Sequence, residues 1–168
     1  LPSLVPGLAL SPDESVELTL RVTGSDRRLR ARADASFSGG GTLQASAAAT
    51  PAPVARDTAQ LYYRLDATAR DLTTSLLGPL DPDSNRISGS VETTLRGDSP
   101  SSLSGPFTAR LQDTRWGLLR VPDLMLTSTF EAGTADLDLE GTINDAALSV
   151  NGQAQPLDTT VSAALTAQ

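Results

Sequence analysis

The sequence predicts an all-β protein built on one wide, mostly antiparallel sheet, with one short helix. Apolar and polar residues alternate over most of the chain, and this period of two places every second side chain on the same face of a strand. Short segments rich in Gly, Pro, Asp and Ser separate the alternating runs, as they do in hairpins and meanders. We therefore expect about 10 to 12 strands of ordinary length. Their sheet should be apolar on one face and polar on the other.

The first half of the chain contains four alternating runs. They cover Ser15 to Thr23, Leu29 to Phe37, a weaker run from Leu43 to Ala47, and Gln60 to Arg70. The large apolar residues that these runs place on one face are Val16, Leu18, Leu20, Val22, Leu29, Phe37, Leu61, Tyr63 and Leu65. We expect these side chains to belong to one continuous apolar surface.

The period of the pattern changes after the fourth run. Asp71 is a suitable N-cap, and four leucines recur at helical spacing between Leu72 and Leu80. Pro82 then stops the pattern, because proline cannot continue a helix. The sequence predicts a helix of one to two turns within residues 71–80.

The second half of the chain returns to alternation. Its runs cover Ile87 to Leu95, Leu103 to Leu111, Leu124 to Phe130, Ala135 to Gly141 and Ala147 to Gly152, with a last one from Val161 to Leu165. The candidates that extend the apolar surface are Val91, Leu95, Leu124, Leu126, Phe130, Leu137, Leu139, Leu148 and Val150. We expect the same face to continue through these strands.

No segment marks a convincing boundary between domains. Residues 50–57 are rich in Pro and Ala and form the best candidate linker, which we interpret as a loop. We therefore predict that residues 1–168 form a single elongated β-sheet segment. The chain begins without Met, and no basic region precedes its apolar start, so we expect a segment of a larger protein rather than a secretory leader.

The composition excludes several classes of function. The chain carries 13 basic residues, all Arg, against 20 acidic ones, for a net charge of −7. Duplex nucleic acid is an unlikely partner, because its binding requires concentrated positive charge. The only basic cluster contains Arg27, Arg28, Arg30 and Arg32, and its alternation with apolar residues indicates the outer face of a strand.

The residues that most enzymes and metal sites need are missing. The chain contains no Cys and no His, which removes thiol nucleophiles, thiolate ligands and the commonest general base. Serines are plentiful, but without His or Lys the usual partners of an activated hydroxyl are absent. We predict a protein that is not an enzyme and holds no cofactor or metal.

Two acidic motifs nevertheless resemble functional sites. Asp81, Asp83 and Asn85 resemble the start of a calcium loop, with Glu92 at the twelfth position, but Arg86 replaces the glycine that the sharp bend needs. An Asx-rich turn is the better interpretation. In the second motif, Asp136, Asp138 and Glu140 alternate with apolar residues along one strand. General acid–base catalysis needs two carboxylates in unlike environments, so these three indicate a solvated face.

The apolar face is therefore the candidate functional surface, and two interpretations of it stay open. Two halves of the sheet could pack together and form an ordinary closed core, as most alternating strands do. Alternatively, the face could stay open as a groove for an apolar ligand. Trp116, beside a turn, is either an interface anchor or a cover for a sheet edge.

The order of several short motifs resembles the TamB family, the translocation and assembly module subunit related to the AsmA-like proteins. A Leu-rich segment covers Leu72 to Leu80, a G-x-V-x-x-x-L-x-G strand covers Gly89 to Gly97, and L-x-G follows at Leu103 to Gly105. An L-x-L run starts at Leu124, and later strands end in Gly141 and Gly152. The resemblance covers residues 69–157, about half the chain, and is looser over residues 15–60. It suggests a fragment of the family's repeat region.

The resemblance implies a fold and a function. In that family the sheet curls into a taco-like half-pipe with an apolar concave face, and the protein is anchored in the inner membrane and crosses the periplasm. It implies that this segment shields acyl chains and moves phospholipids between the inner and outer membranes, supporting outer-membrane biogenesis. It also implies a link to a BamA-like partner, TamA. The alternative that we keep is a chaperone-like segment that assists outer-membrane protein assembly by adding its strand edges to those of the partner.

Overall fold

Alternating sequence produces long antiparallel strands that follow one another in a meander. The computed structural model describes residues 15–25, 28–51, 61–73, 85–98, 102–131, 134–154 and 166–167. The strands are β1 Val16–Ser25, β2 Arg28–Phe37, β3 Thr42–Pro51, β4 Leu61–Thr73, β5 Asn85–Gly97, β6 Gly105–Trp116, β7 Leu119–Glu131, β8 Thr134–Ile143, β9 Ala146–Ala154 and β10 Thr166–Ala167. All of them belong to one sheet.

The strands lie in the sheet in their sequence order, and every neighbouring pair is antiparallel. The predicted fold class is confirmed, since the chain forms a single open antiparallel sheet and does not close into a barrel. Within the described ranges, the outer edge of β1 has no partner strand. The opposite edge, β9, pairs with β10 only at Asn151 and Val150. The described part of the chain offers no helix with the length and apolarity that spanning a bilayer requires.

Two hairpins have two-residue turns that match the twist of their strands. Gly117 has a φ of 58° and is the first residue of the turn between β6 and β7, the position that a type II′ turn gives to glycine. Asn144 and Asp145, between β8 and β9, have φ values of 48° and 67°. Positive φ at both central residues is the requirement of a type I′ turn, which Asn and Asp tolerate better than most residues.

The start of the predicted helix is wrong. Asp71, the proposed N-cap, lies inside β4 with a φ of 49°, where the pairing of β4 with β5 shifts by one residue. The Asp71 N–H donates to the Ser88 hydroxyl at 2.9 Å, which stabilises this β-bulge. Beyond it Leu72 pairs with Ile87, so the first leucine of the helical pattern belongs to the sheet. The rest of the predicted helix, residues 74–80, lies outside the described residues.

Other boundaries also differ from the sequence prediction. Thr50 and Pro51, the start of the proposed loop, are the last residues of β3, because the weak Ala-rich run extends farther than its large residues suggest. Residues 52–57 of that loop lie outside the described residues. The last predicted strand, Val161 to Leu165, also lies outside them, apart from the short β10 that follows it.

The sheet has very little enclosed core. Among the described residues, the buried apolar side chains are Ala35, Val121 and Ala135, and no large side chain is fully buried. Large residues on the apolar face are half-buried or exposed, and Leu20 on β1 is 61% exposed. The described strands thus leave the apolar side of the sheet largely uncovered.

Candidate functional site: the apolar face of the sheet

The strand register places all the predicted lining residues on one side of the sheet. Directly opposite residues of an antiparallel pair share a face, so a row of partners can be followed from strand to strand. One row crosses nine strands through Leu20, Ala33, Ala45, Ala67, Val91, Ala109, Leu126, Leu139 and Val150. The eighteen residues proposed from the sequence lie in this row or alternate with its members along their strands. We call this side the apolar face.

Two further rows flank the first. One runs through Leu18, Ala35, Leu43, Ala69, Gly89, Leu111, Leu124, Gly141 and Leu148. The other runs through Val22, Ala31, Ala47, Leu65, Thr93, Phe107, Ser128, Leu137 and Gly152. No charged residue occurs in any of the three rows. The apolar face is therefore uncharged over the central part of the sheet.

Two hydroxyl groups interrupt the apolar rows. Thr93 and Ser128 are buried and lie on either side of Phe107 in the third row. The Thr93 hydroxyl donates to the Pro106 carbonyl at 2.8 Å, so it presents no free donor to the face. The Ser128 hydroxyl is buried and has no hydrogen-bond partner. Neither residue provides the convergent donors of a polar ligand pocket.

A concavity of about 410 Å³ lies at the centre of the apolar face. Its walls are large aliphatic side chains: Leu43, Ile87, Leu111, Leu124, Leu126 and Leu139. Its floor contains small residues, among them Ala67, Ala69, Gly89 and Ala109. A side chain at Gly89 would collide with the carbonyl of Arg110. Small residues beside large ones thus leave room for a depression in this part of the sheet.

Three wall residues were missing from the sequence candidates. Leu43, Ile87 and Leu111 lie in alternating runs, but the first stands alone in an Ala-rich run and the others lie close to bulges. Ile87 also pairs with Leu72, which the sequence had assigned to a helix. Counting alternate positions through the full length of each strand would have found all three.

The opposite side of the sheet, the polar face, carries the charges. Arg28, Arg30 and Arg32 alternate with apolar residues along β2, as predicted. Arg32 forms an ion pair with Asp34 at 3.0 Å, and the ordered pairs Arg64–Asp66 and Arg110–Asp123 measure 2.9 Å and 2.7 Å. These pairs are exposed, and such pairs contribute little to stability.

The exposed ion pairs hold two carboxyl groups in the charged form. A hydrogen bond from Arg64 lowers the pKa of Asp66, and the positive charge of Arg64 acts in the same direction. A hydrogen bond from Arg110 lowers the pKa of Asp123 in the same way. Neither carboxyl group has the raised pKa that a general acid needs at neutral pH.

The other acidic candidates lie along the polar face of one strand. Asp136, Asp138 and Glu140 line the polar face of β8, and Asp136 accepts a hydrogen bond from the Gln153 amide at 2.6 Å. Over the described ranges, no three His, Cys, Asp or Glu side chains come together in a way that could hold a metal ion.

The two described residues of the calcium-like motif, Asn85 and Glu92, have different partners. Asn85 is buried, and its side-chain oxygen accepts the Gly117 N–H at 2.9 Å. Glu92 lies farther along β5 and forms an ion pair with Arg64 at 3.5 Å. Asp81 and Asp83 lie outside the described residues. Asn85 thus holds a turn rather than facing a cation.

Comparison with known protein families, curated proteins and solved structures finds no match to this chain.

Proposed function

We propose that the apolar face is a section of a groove that shields lipid acyl chains from water and lets phospholipids move along the sheet. The observation that carries this proposal is the set of three uncharged rows, which continue across nine strands without a cover among the described residues. An exposed apolar surface of this extent is costly in water, and such surfaces mark sites that bind a ligand, a membrane or another protein. An acyl chain is the simplest ligand that matches an apolar and uncharged surface on which no polar groups converge.

The size of the hydrophobic effect supports a chain-like ligand. Burial stabilises each methylene by about 0.8 kcal/mol, so a chain of about 16 carbons gains roughly 12 kcal/mol before the costs of binding. Nine strands spaced about 4.8 Å apart extend over roughly 38 Å, and further strands would lengthen the groove without changing its cross-section. The gain per methylene is enough to keep a lipid in the groove even when only part of each chain is covered.

Movement requires that neighbouring positions bind the lipid about equally well. Leu, Val, Ala and Phe side chains line the rows, and the three rows contain no charge that would trap or repel a chain. The headgroup needs no pocket on the apolar face, because it can stay in water at the open side. The groove thus favours lipids as a class rather than one headgroup.

The biological setting in this proposal rests on the resemblance to the TamB family. We propose that the segment belongs to an inner-membrane-anchored protein of the periplasm and acts in phospholipid transfer between the inner and outer membranes. In this role the segment has no catalytic residue and needs no cofactor. Its partners are phospholipids and, through the full-length protein, a BamA-like protein.

A charge placed on the apolar face tests the proposal. Leu126 and Met125 are neighbours on β7, but Leu126 lines the central concavity whereas Met125 lies on the polar face. We expect Leu126→Asp to lose most of the phospholipid that co-purifies with the chain, and Met125→Asp to retain it. Mass spectrometry of extracted lipids measures both, and circular dichroism confirms that both variants keep the sheet.

Three outcomes would contradict the proposal. The first is a protein that carries no lipid after purification without detergent and binds none when vesicles are added. The second is equal lipid binding by the two aspartate variants. The third is unfolding of Leu126→Asp while the milder Leu126→Thr, which removes apolar volume without adding a charge, folds and is as lipid-free as the parent. The first and third results would identify the apolar face as a closed core, and the second would place lipid binding outside the central concavity.

One observation favours the second candidate function, strand addition to a membrane-protein partner. β1 has ten residues, no Pro and no bulge, and its outer edge has no partner among the described strands. Such an edge is open to pairing with another strand. Thr19→Pro and Leu20→Pro remove neighbouring N–H groups, which point to opposite edges of β1. If strand addition operates, only the variant that alters the outer edge should lose partner binding while keeping both lipid uptake and the β1–β2 pairing.

A further inference from the structure

The turn between β6 and β7 ends in an exposed cluster of large apolar side chains. Trp116 is 45% exposed, Leu118 96% and Leu119 47%. Trp116 and Leu119 lie directly opposite each other, and Gly117 and Leu118 form the two-residue turn beyond them. We call residues 116–119 the Trp116 hairpin tip. Leu118 contributes almost nothing to packing of the described chain, so its exposure needs another explanation.

A row of three arginines lies one residue behind this tip. Arg86 is opposite Arg115, and Arg115 is opposite Arg120. Like charges directly opposite each other destabilise a sheet. Arg86 is 3.6 Å from Asp71, whereas Arg115 and Arg120 form no ion pair with a described residue. Two of the three guanidinium groups are thus without an ion pair among the residues that the structure describes.

Acidic residues also occur at this end of the strands. Asp113 lines a shallow depression together with the three arginines, and Asp145 lies in the neighbouring turn. Both are exposed, and neither forms an ion pair with a described residue. The region is thus not strongly basic as a whole. What distinguishes it is the alignment of the arginines directly behind an apolar tip.

Hydrogen bonds from neighbouring strands hold the tip in place. The Asn85 side chain, only 3% exposed, accepts the Gly117 N–H at 2.9 Å. The Asn144 side chain accepts the Arg120 N–H at 2.7 Å, and the Asn144 N–H donates to the Arg120 carbonyl at 2.8 Å. These bonds tie the tip to the first residue of β5 and to the turn before β9. An exposed apolar tip on a fixed base loses little conformational entropy when it binds.

Non-glycine residues with positive φ are concentrated at the same end of the sheet. The described non-glycine residues with φ in the left-handed region are Asp71, Asp113, Asn144 and Asp145. All four lie at the strand ends around the Trp116 hairpin tip. Asp71 belongs to the bulge of β4, and Asn144 and Asp145 form the type I′ turn before β9. The tip and its base thus form a distinct feature of the molecule.

We infer that the Trp116 hairpin tip is a membrane anchor that inserts into the interfacial region of a bilayer containing anionic phospholipid. Trp and Leu favour the boundary between headgroups and acyl chains, and arginines favour the anionic phosphates just outside it. Leu118 lies two residue levels beyond the arginine row, which is about 7 Å at about 3.3 Å per residue. That offset matches the depth to which interfacial anchors bury their apolar side chains. The anchor does not depend on the acyl-chain groove.

The only tryptophan of the chain reports on the anchor directly, because the sequence contains no other. We expect vesicles of phosphatidylcholine mixed with phosphatidylglycerol to shift the fluorescence of Trp116 to shorter wavelength. Lipids brominated near the headgroup end of the acyl chain should quench it. Vesicles of phosphatidylcholine alone should give a much weaker response, and added salt should weaken the anionic response.

Single substitutions test whether vesicle binding depends on the tip or on the rest of the surface. Leu118→Ser should lower the vesicle partition coefficient about tenfold, since a Leu side chain is lost from the inserted group. Arg120→Gln should lower it about fivefold at low salt. Met125→Ser, a change of an exposed apolar residue in the middle of β7, should leave partitioning unchanged. Because Leu118 is almost fully exposed, its substitution should not affect folding.

Two results would overturn the anchor. One is the absence of any fluorescence or sedimentation response to anionic vesicles, which would leave the tip as a contact for another protein. The other is vesicle binding that Leu118→Ser does not weaken, which would assign binding to the apolar face. If anchoring is lost and lipid still co-purifies, the proposed function is unaffected. If anchoring persists and no lipid co-purifies, the groove is contradicted and the anchor is not.

Discussion

The apolar face consists of two regions with different side chains. In β2 and β3 the rows contain mainly Ala, at positions 31, 33, 35, 45 and 47. In β5 to β8 they contain mainly Leu, Val and Phe. Leu20 stands opposite Ala33 and is 61% exposed, whereas Leu126 stands between Ala109 and Leu139 and is half-buried. Leu20 lies on the edge strand and has one cross-strand neighbour, whereas Leu126 has a neighbour on each side, so alternation alone does not determine burial.

Regular strand pairing and dense side-chain packing thus occur in different regions of the sheet. The β1–β3 region has an unbroken register, with regular backbone pairing but little apolar contact. The β5–β8 region has a register shift between β5 and β6, yet its large side chains contact one another, including the edge-to-face pair Phe107–Phe130 at 6.5 Å. We expect side-chain packing to stabilise the second region more strongly. The first region should open more readily.

The largest predicted effect comes from removing an aromatic ring in the β5–β8 region. Phe107→Ala removes the contact with Phe130 and should lower the free energy of unfolding by about 3 kcal/mol, the lower end for a core Phe because the ring is half-buried. Leu20→Ala on β1 should cost less than about 1 kcal/mol, since most of that side chain is already exposed. Urea unfolding followed by circular dichroism measures both. Equal losses would show that the two regions are packed alike.

Filling the Ala-rich region should have the opposite effect. Ala33→Leu adds a side chain directly opposite the exposed Leu20 and should raise the free energy of unfolding by about 1 kcal/mol through new apolar contact. Ala35 is the matched control, because it lies on the same face of β2 but is buried between Leu18 and Leu43. Ala35→Leu should destabilise the sheet by about 1–3 kcal/mol through overpacking. Stabilisation by both changes would mean that β1 and β2 are loosely packed throughout.

Removing each of the two hydroxyl groups on the apolar face should change the free energy of unfolding by a smaller amount, and with opposite sign. Ser128→Ala removes a buried hydroxyl without a partner and should raise the free energy of unfolding by about 1 kcal/mol. Thr93→Val removes the donor to the Pro106 carbonyl and should lower it by about 1 kcal/mol. Thermal unfolding at one pH compares the pair. If Ser128→Ala were the destabilising change, its hydroxyl would have a partner that compensates its burial.

The sequence was sufficient for the fold class, for the order of the strands and for the side of the sheet on which each candidate lies. A period of two encodes these properties locally, and short turns leave antiparallel neighbours as the simplest connection. The sequence did not reveal the bulge at Asp71, because Leu72 continues the apolar face only after a register shift. It therefore suggested that a helix starts at Asp71, where β4 continues to Thr73.

The Trp116 hairpin tip was also hidden from sequence reasoning. The pattern around Trp116 allowed either an anchor or a cover for a sheet edge. Its exposure depends on the positions of Asn85 and Asn144, which are distant in sequence and reach the tip only through the register of three strand pairs. The arginine row depends on the same registers. Local spacing contains no information about such long-range alignment.

The polar face offers the smallest predicted effect, through the ion pair between Arg110 and Asp123. A hydrogen bond from Arg110 lowers the pKa of Asp123 in the folded chain. The folded state therefore gains stability above the unfolded pKa of about 4, and loses it as the pH falls through the lower folded value. We expect Arg110→Gln to reduce stability slightly near neutral pH and to converge with the parent in acid. Thermal unfolding across that range measures the difference.

Arg30→Gln is the matched control for this ion pair. Arg30 lies on the same polar face, in β2, but forms no ion pair with a described residue. Its removal should give a stability difference that does not change between neutral and acidic pH. A pH-dependent loss in Arg30→Gln equal to that in Arg110→Gln would mean that the acid response follows the net charge of the sheet. A pH-dependent loss confined to Arg110→Gln would assign the acid response to the single ion pair Arg110–Asp123. The β5–β8 region would then combine a local electrostatic contribution with the denser side-chain packing.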